Sequence, residues 1–437
     1  MDKTEEKIVE LIDKNRDLII SFGRDIFQHA ELGYKEFRTS EQFKNMLEKH
    51  LPKVETNLAI TGVKGYLNEE KKNLFSVALL GELDALKIPD YQYANPETGG
   101  AHCCGHHAQL AGVVGALLAL SDKEVAEKLD GQVIFLATPA EEYGEAEFKN
   151  SLISEGKIAY GGGKCELIRE GAFDDVDVAL AHHISPEGLC AGSGSTNGFV
   201  AKVIRIKGKA AHAAAAPHEG INALYAASLG LQALAYNKET FQEKDCVRVH
   251  PILTKGGDLV NVVPEEAVIE TLVRGKTKEA ISDAARKTDR AFKAGAYALG
   301  AGCRIETSAG YLPSLPQAVP AELIAIIEEA AGEKAKIADL QEHGAGSTDV
   351  GDVQHLLPVL TFHTGGVSGG LHQTDFSIDD EEKAYVLTAK IFALCAYRLL
   401  KDGAALGKKL KQEYQPVFRN KEEYTAFLDS FCAVEEA

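Results

Sequence analysis

Apolar runs that predict buried strands, with an apolar helix between them, constrain the fold of this chain more than any other feature. Residues 74–86 (LFSVALLGELDAL) and 131–142 (GQVIFLATPAEE) each predict a buried strand, and residues 109–120 (QLAGVVGALLAL) predict the helix. A strand, a helix and a second strand in this order favour a parallel sheet. A third short strand is predicted in VDVALAHH, residues 176–183.

The pattern changes at about residue 198. From there to residue 311 the segments predict strand, helix, strand, strand, helix and strand, which is the order of a ferredoxin-like sandwich. After about residue 312, helical segments and the strand LPVLTFHTG return. We therefore expect an α/β fold with a mixed, mainly parallel sheet in a discontinuous catalytic domain, residues 1–197 and 312–437. Residues 198–311 would form an inserted α+β domain.

Charge and composition restrict the function classes. The 437 residues carry a formal net charge of -18, which argues against nucleic acid or an anionic membrane as a partner. No apolar run reaches the roughly 18 residues of a membrane span, and MDKTEEKIVELIDKN is charged from its second residue. We therefore expect a cytoplasmic protein. The eight cysteines are scattered apart from one adjacent pair, which is not typical of a disulfide framework.

That adjacent pair lies in AHCCGHHAQL, where two cysteines and three histidines fall within six residues. Cys104 and His106 flank Gly105, a spacing that suits a turn, and a thiolate with an imidazole favours zinc or a similar transition metal. Taken alone, the pattern fits a buried cysteine beside a helix-capping histidine better. A redox pair of Cys103 and Cys104 is a weak alternative, because vicinal cysteines close a strained ring.

Further ligand-type residues follow the predicted strands. Glu141 and Glu142 come directly after one strand, so that one carboxylate can face a metal and the other a water. His183 ends the next strand beside His182, and His372 lies in the glycine-rich loop GGLHQTDF. Because open α/β sheets place ligand sites after their strands, these residues together with Cys104 and His106 predict a two-metal hydrolytic site.

These motifs resemble the aminoacylase/carboxypeptidase family of co-catalytic metallopeptidases. The resemblance is strongest to its amidohydrolase branch, which holds indole-acetyl-amino-acid hydrolases, hippurate hydrolases and p-aminobenzoyl-glutamate hydrolase subunits. The similar stretches run nearly end to end: HAELGYKE, GELDAL, AHCCGHHAQ, TPAEEYG, AHHISP, KAAHAAAAPHEGINAL, NVVPEEA and GSTDVGDV. The last of these is similar to the p-aminobenzoyl-glutamate hydrolase-like subgroup. The resemblance implies a zinc-peptidase-like catalytic domain with an inserted lid and dimerisation domain.

The resemblance also implies roles for individual residues. Glu141 would be the general base, and Asp84 would orient a ligand imidazole or backbone. The cofactor would be two divalent metal ions per chain, zinc or manganese, with nickel and cobalt as alternatives. Cys104 would bridge them. The protein ligands implied are Cys104, His106, Glu142, His183 and His372.

Three further residues lie in the predicted insert. His212 in KAAHAAAAPH matches the family histidine that donates to the scissile carbonyl oxygen, often across a dimer interface; the alternative is a structural histidine. Asn261 and Arg274 match positions near the family's substrate carboxylate, and an arginine fork suits a carboxylate. The resemblance thus implies a homodimer that acts on a small N-acyl amino acid or peptide.

Three departures from the family pattern stand in or beside the same motif. His107 occupies a position where the family has Asp or Asn, Gln109 replaces a common histidine, and Cys103 adds a second thiol. A histidine cannot accept a hydrogen bond as an Asp does, which puts metal affinity or substrate choice in doubt. The main hypothesis is a metal-dependent amidohydrolase that cleaves N-acyl or aryl-acyl amino acids. The alternatives are a dipeptidase of the same fold and a catalytically impaired homologue.

Overall fold

The computed structural model describes residues 1–437 without a gap. A π-helical segment, Glu382–Leu387, leads directly into the long twelfth helix. The helices are α1 (Lys3–Lys14), α2 (Arg16–Gln28), α3 (Phe37–Glu48), α4 (His106–Leu120), α5 (Lys123–Ala126), α6 (Ala146–Ser154), α7 (Gly163–Glu170), α8 (Ala223–Asn237), α9 (Lys278–Ala298), α10 (Ala321–Ala331), α11 (Val350–Gln354), α12 (Thr388–Glu413) and α13 (Lys421–Asp429).

Many of the strands are only two residues long and flank loops. The strands are β1 (Lys53–Leu58), β2 (Gly62–Leu67), β3 (Ser76–Glu82), β4 (Leu86–Lys87), β5 (Gly100–Ala101), β6 (Gln132–Thr138), β7 (Val178–Ile184), β8 (Cys190–Ala191), β9 (Ser195–Thr196), β10 (Gly198–Lys207), β11 (Arg248–Val249), β12 (Ile252–Lys255), β13 (Glu266–Gly275), β14 (Gly302–Ala309), β15 (Lys336–Ile337), β16 (His343–Gly344), β17 (Val359–Thr364), β18 (Val367–Ser368), β19 (Ser377–Ile378) and β20 (Ala433–Glu436).

The central sheet has eight strands in the order β1-β2-β6-β3-β7-β17-β8-β15. Its middle strands β6, β3, β7 and β17 run parallel, and antiparallel pairs join β1, β2 and β8 to it. This confirms the mixed, mainly parallel sheet expected from the sequence. The carboxyl ends of the parallel strands therefore meet at one edge, where open α/β sheets place their sites.

Both faces of the central sheet are covered, as buried parallel strands require. On one face α1, α2, α4 and α12 form a core of 60 buried residues, and on the other a core of 29 includes residues of α7 and α13. Helix α4 is buried along its whole length, which explains its uniform apolar sequence. It holds the candidate ligands at its amino-terminal end against this rigid core.

A second, antiparallel sheet follows the order β11-β13-β10-β14-β20, with β12 also paired to β13. Helices α8 and α9 pack on it and close a separate core of 19 residues. The strand and helix order from 198 to 311 matches the predicted ferredoxin-like pattern, except that the single strand predicted after α8 is divided into β11 and β12. Strand β20 comes from outside that range and pairs with β14, with Arg304 opposite Glu436 and Thr307 opposite Ala433. The domain boundaries themselves stay a prediction.

None of the helices combines the length and apolar character that crossing a bilayer requires.

Candidate metal centre and active site

The CCGHH motif forms a tight turn at the start of α4. Gly105 has a φ of 97°, and a Cβ at this position would lie 2.2 Å from Cγ2 of Ile184. Only glycine fits such a position without strain. The spacing predicted this turn, and in the structure it brings Cys104 and His106 together with His183 at the carboxyl edge of the central sheet.

His106 is fully buried and surrounded by acidic groups. Its Nδ1 donates to the backbone carbonyl of Asp84 at 2.8 Å and lies 3.3 Å from Oδ1 of Asp84. Its Nε2 faces the cluster and lies 3.0 Å from Oε2 of Glu82 and 3.9 Å from Oε2 of Glu141. Asp84 thus contacts the imidazole, and its Oδ2 also accepts from the backbone N–H of Glu142 at 2.8 Å. Both contacts fit the orienting role expected of Asp84.

Cys104 lies between the other candidate ligands. Its Sγ is 3.3 Å from Nε2 of His183 and 3.1 Å from Nε2 of His372. Nε2 of His372 also lies 3.1 Å from Oε1 of Glu142. The five predicted ligands therefore fall into two groups of mutually close donor atoms, Cys104 with His106 and His183, and Cys104 with Glu142 and His372. Cys104 belongs to both groups.

The donor set fits cations. Nε2 of His106 and Oε1 of Glu142 are buried, and their contacts with Glu82 and His372 lack hydrogen-bond geometry, although buried polar atoms nearly always make a hydrogen bond. Burial opposes a charge on His106, but Glu82 and Cys104 outweigh it and raise the pKa of this imidazole well above its usual value. Burial and Glu142 raise the pKa of the Cys104 thiol. The positive charge of a bound cation would act in the opposite direction and favour the thiolate.

Glu141 is nearly buried beside this cluster. It follows β6 in a loop in which Ala140 has a φ of 48°, and the Tyr311 hydroxyl donates to the Glu141 carbonyl oxygen. Burial, and then the charges of Glu82 and Glu142, raise the pKa of the Glu141 carboxyl well above its usual value. A raised carboxyl pKa suits a group that accepts a proton and passes it on.

A cavity of about 790 Å³ opens over the candidate ligands. Arg274 lines its far side, where Nη1 donates to Oγ of Ser347 at 2.9 Å and the guanidinium lies over the ring of Phe199 at 5.4 Å. Burial lowers the pKa of Arg274, and its side-chain partner is the Ser347 hydroxyl rather than a carboxylate. The cavity is therefore lined by a guanidinium group that no carboxylate of the chain neutralises.

Two predicted residues are not brought to the cavity of their own chain. His212 and Asn261 are exposed, and the N–H of Ala213 donates to the carbonyl of Asn261 at 3.0 Å. Nδ1 of His212 accepts from the backbone N–H groups of Ala214 and Ala215 at 3.2 and 3.1 Å. An imidazole that accepts at Nδ1 carries its proton on Nε2, which can then donate.

One of the three departures from the motif, His107, has a structural explanation. His107 is fully buried, its ring 5.0 Å from that of Phe27 and 5.4 Å from that of His102, and burial lowers its pKa well below the usual value. It is therefore a neutral aromatic packing residue of α4 and contacts no candidate ligand. His182 faces the opposite side from His183, with Nε2 2.7 Å from Oγ1 of Thr364.

Three buried charged residues near the ligands were not predicted. Glu82 ends β3 and contacts His106, and Lys164 of α7 contacts both Glu82 and Asp349, which precedes α11. The sequence offered a signal for two of these residues. Glu82 lies in the motif GELDAL at the end of a strand, and Asp349 lies in the motif GSTDVGDV at the start of a helix. The sequence around Lys164 holds no comparable signal. Near His183, the half-buried His363 also lines the cavity.

The fold and the donor set define the class of protein: a hydrolase with an α/β fold and a candidate two-metal centre at the carboxyl edge of its sheet. A comparison with family models matches residues 78–398 to Peptidase family M20/M25/M40. The chain belongs to this family. It is therefore a hydrolase that acts on carbon–nitrogen amide bonds.

Individual relatives include enzymes with different substrates. The chain is 28% identical over 419 residues to the Xaa-Arg dipeptidase of Homo sapiens, covering 89% of this chain and 86% of the relative. It is 26% identical over 401 residues to N-acetylcysteine deacetylase of Bacillus subtilis, covering 87% and 97%. It is 31% identical over 278 residues to a p-aminobenzoyl-glutamate hydrolase subunit of Escherichia coli, covering 61% and 53%.

Solved structures agree on the fold. An aminobenzoyl-glutamate utilization protein from Klebsiella pneumoniae superposes with a TM-score of 0.65 at 18% identity, covering 90% of this chain and 99% of that one. A dinuclear metal-binding peptidase of the same family from Bacillus subtilis gives a TM-score of 0.61 at 22% identity, covering 89% and 99%. At these identities the comparison establishes the fold alone.

Proposed function

We propose that this chain is a two-metal amidohydrolase that removes an amino acid from an N-acyl or aryl-acyl conjugate. The observation that carries the proposal is the position of Cys104, whose Sγ lies 3.3 Å from His183 and 3.1 Å from His372 and belongs to both groups of ligand atoms. A thiolate shared by two ligand groups is suited to bridge two cations.

In this proposal Cys104, His106 and His183 hold one ion, and Cys104, Glu142 and His372 hold the other. Two divalent cations at these positions would polarise the scissile carbonyl and lower the pKa of the attacking water. Thiolate and imidazole ligands favour zinc, and manganese, nickel and cobalt are the alternatives. The relative from Bacillus subtilis that is described as a dinuclear metal-binding peptidase supports two ions per chain.

Glu141 moves the proton in this mechanism. Its carboxylate is 3.9 Å from Nε2 of His106 and lines the cavity, so it is placed to accept a proton from the attacking water and return it to the leaving amine nitrogen. The backbone contacts of its loop, from Tyr311 to Glu141 and from Glu142 to Asp84, hold the carboxylate in place.

Arg274 binds the carboxylate of the released amino acid. Its guanidinium has no acidic partner and faces the cavity. A substrate carboxylate there could accept two parallel hydrogen bonds from its N–H groups. The relatives named as N-acetylcysteine deacetylase and as a p-aminobenzoyl-glutamate hydrolase subunit act on N-acylated amino acids, which supports a substrate of this kind.

The active unit is a homodimer in which His212 and Asn261 of one copy reach the cavity of the other. Both residues are exposed, and Nε2 of His212 carries the proton that an oxyanion would accept. Residues 198–311 would then be the lid and dimerisation domain. Exposed apolar side chains on α8, on β12 and in the loop before Asn261 support this surface: Tyr225, Leu229, Ile252, Leu253, Leu259 and Val260. The cytoplasmic location stays a proposal from the sequence.

The experiment that tests the function measures metal content by mass spectrometry on protein purified without chelator. The same sample is then assayed on p-aminobenzoyl-glutamate and several N-acyl amino acids, with and without added zinc or manganese. We expect about two metals per chain and hydrolysis that a chelator abolishes and metal restores. A protein that takes up no metal after reconstitution would instead support the impaired homologue that His107 suggested.

A dipeptidase is the second candidate, because the human Xaa-Arg dipeptidase matches 89% of this chain. A dipeptide differs from an acyl amino acid by a free α-amine. Matched pairs of free and N-acetylated dipeptides in one assay separate the two functions. Hydrolysis of only the dipeptide with a free α-amine would mean that the chain is a dipeptidase and not an N-acyl amino acid hydrolase.

A further inference from the structure

We propose that a polar recess of the cavity binds the side chain of the amino acid that hydrolysis releases, and that it selects a carboxamide, as in an N-acyl-glutamine or N-acyl-asparagine. The inference rests on the proposed function, because it names the substrate of the same site. The recess is lined by three hydroxyl groups, one carboxamide and one imidazole: Thr196, Ser314, Thr361, Gln354 and His363.

Strand β17 forms the floor of the recess, next to the candidate metal ligands. Thr361 and His363 lie on the same face of β17, because alternate side chains of a strand share a face. In the sheet His363 pairs with His183, and Thr361 pairs with Ala181. His363 belongs to neither group of ligand atoms, and its buried Nδ1 has no hydrogen-bond partner. The recess therefore adjoins the metal position of His183 and has unused hydrogen-bonding capacity.

The walls of the recess consist of polar groups whose own hydrogen bonds leave donors free. Gln354, on α11, accepts the backbone N–H of Leu315 at Oε1 with a distance of 2.8 Å, which leaves the Nε2 hydrogens for another partner. The hydroxyl oxygens of Thr196 and Ser314 are 2.7 Å apart and share one hydrogen, so the second hydroxyl hydrogen is free. Thr361 contributes a further hydroxyl group to the cavity.

The recess lies beside the guanidinium that binds the substrate carboxylate in the proposed function. Thr196 pairs with Gly344, and the loop after Gly344 carries Ser347, whose hydroxyl accepts from Arg274 at 2.9 Å. The α-carboxylate and the side chain of an amino acid are attached to the same carbon atom. With the carboxylate at Arg274 and the scissile amide at the metal positions, the side chain of the released amino acid therefore points to the recess.

The chemistry of the recess distinguishes between types of side chain. Its residues offer hydrogen-bonding groups but include no lysine or arginine. A carboxylate would lose its hydration there without gaining a cation, and an apolar side chain would leave the free donors unsatisfied. A carboxamide oxygen can accept from Nε2 of Gln354, while its N–H groups can donate to a hydroxyl oxygen or to His363. A carboxamide therefore fits the recess better than either alternative.

Three substrates with side chains of similar length separate these types: N-acetyl-glutamine, N-acetyl-glutamate and N-acetyl-methionine. We expect kcat/KM for N-acetyl-glutamine to exceed the value for each of the others by about tenfold or more. Calorimetry on metal-loaded Glu141→Gln protein, in which turnover is blocked, measures the Kd of the same three compounds. The Kd values should follow the same order.

Thr361→Val and Thr361→Ser form a matched pair of variants. Valine keeps the shape of the side chain and removes its hydroxyl, so the ratio of kcat/KM for N-acetyl-glutamine to that for N-acetyl-methionine should fall by about 2 to 13-fold. Serine keeps the hydroxyl and should preserve the ratio. Gln354→Glu keeps the acceptor for Leu315 but removes the Nε2 donors, and it should lower the ratio at least as far. Thermal unfolding verifies that each variant is folded.

The failure of this inference and the failure of the proposed function give different results. Equal kcat/KM and equal Kd values for the three compounds, or an unchanged ratio in Thr361→Val, would overturn the inference. A wild-type protein that binds N-acetyl-glutamine preferentially but hydrolyses none of the three compounds would support the recess and refute the proposed function.

Discussion

The cluster of candidate metal ligands at the strand ends and the exposed loops of the second sheet differ in how complete they are within one chain. Cys104, His183 and His372 come from different elements, yet Nε2 of each histidine lies within 3.3 Å of Sγ of Cys104. His212 and Asn261 contact neighbouring backbone and reach no ligand. In the proposed mechanism, one chain alone therefore supplies all the metal ligands. The hydrogen-bond donor to the substrate oxygen, His212, comes from the second copy of the chain. Variants in the two regions test that division.

Cys104→Ala should have the largest effect, because the sulfur belongs to both ligand groups. We expect metal content to fall from about two ions per chain to one or none, with loss of hydrolysis on the order of 10³-fold or more. Elemental analysis and the hydrolysis assay check this. Cys103→Ala is the control, since its buried thiol contacts no ligand and should keep both metals. A Cys104→Ala enzyme that retains two ions would remove the bridging assignment.

Glu141→Gln should separate metal binding from turnover. The amide keeps the shape of the side chain but cannot accept the proton, so we expect turnover to drop by about 10² to 10⁴-fold with both metals retained. Turnover and metal content are measured on the same preparation. A fully active variant would show that Glu141 is not the base.

His212→Ala should lower turnover by about 10² to 10³-fold without changing metal content, since the loss concerns an oxyanion donor only. Mixing this inactive chain with inactive Glu141→Gln chains should restore about a quarter of the wild-type activity, because half the dimers then hold one complete site. His218→Ala, an exposed histidine of the same loop, is the control. If mixing restores nothing, His212 does not act across the dimer.

Arg274→Met should have the smallest effect and should appear mainly in KM. Loss of a charged hydrogen bond to the substrate is worth about 1.5 to 3 kcal/mol, which corresponds to a KM higher by a factor of about 10 to 160. Steady-state kinetics on an N-acyl amino acid measure it. Arg248→Met is the control, because Arg248 lies opposite Arg274 in the sheet, is exposed and does not line the cavity. Equal KM values for the two variants would exclude Arg274 from carboxylate binding.

The sequence predicts much of the fold and the ligand cluster because both depend on local signals. Apolar runs indicated the parallel strands, and polar residues directly after them had to meet at one edge of the sheet. Glu142 and His183 follow this rule, and the turn at Gly105 that carries Cys104 was expected from its place between two candidate ligands.

The remaining features depend on contacts between distant segments. Lys164, Glu82 and Asp349 meet only after α7 packs against β6 and α11, and no local pattern marks a lysine as buried. The neutral packing of His107 likewise depends on Phe27, from a helix far away in the chain. Strand β20 was missed because its short acidic segment, AVEE, has no alternation and acquires its structure by pairing with β14.

Strand β20 also has a mechanical consequence. The chain passes from the central sheet to the second sheet at the start of β10 and returns after the end of β14. Strand β20 makes a third connection, because it pairs with β14 in the second sheet while α13, just before it, packs against α7. Any hinge rotation of the insert must therefore carry the C-terminal segment with it or separate the ladder between β14 and β20. The amide exchange of residues 433–436 is thus a direct reporter of that rotation.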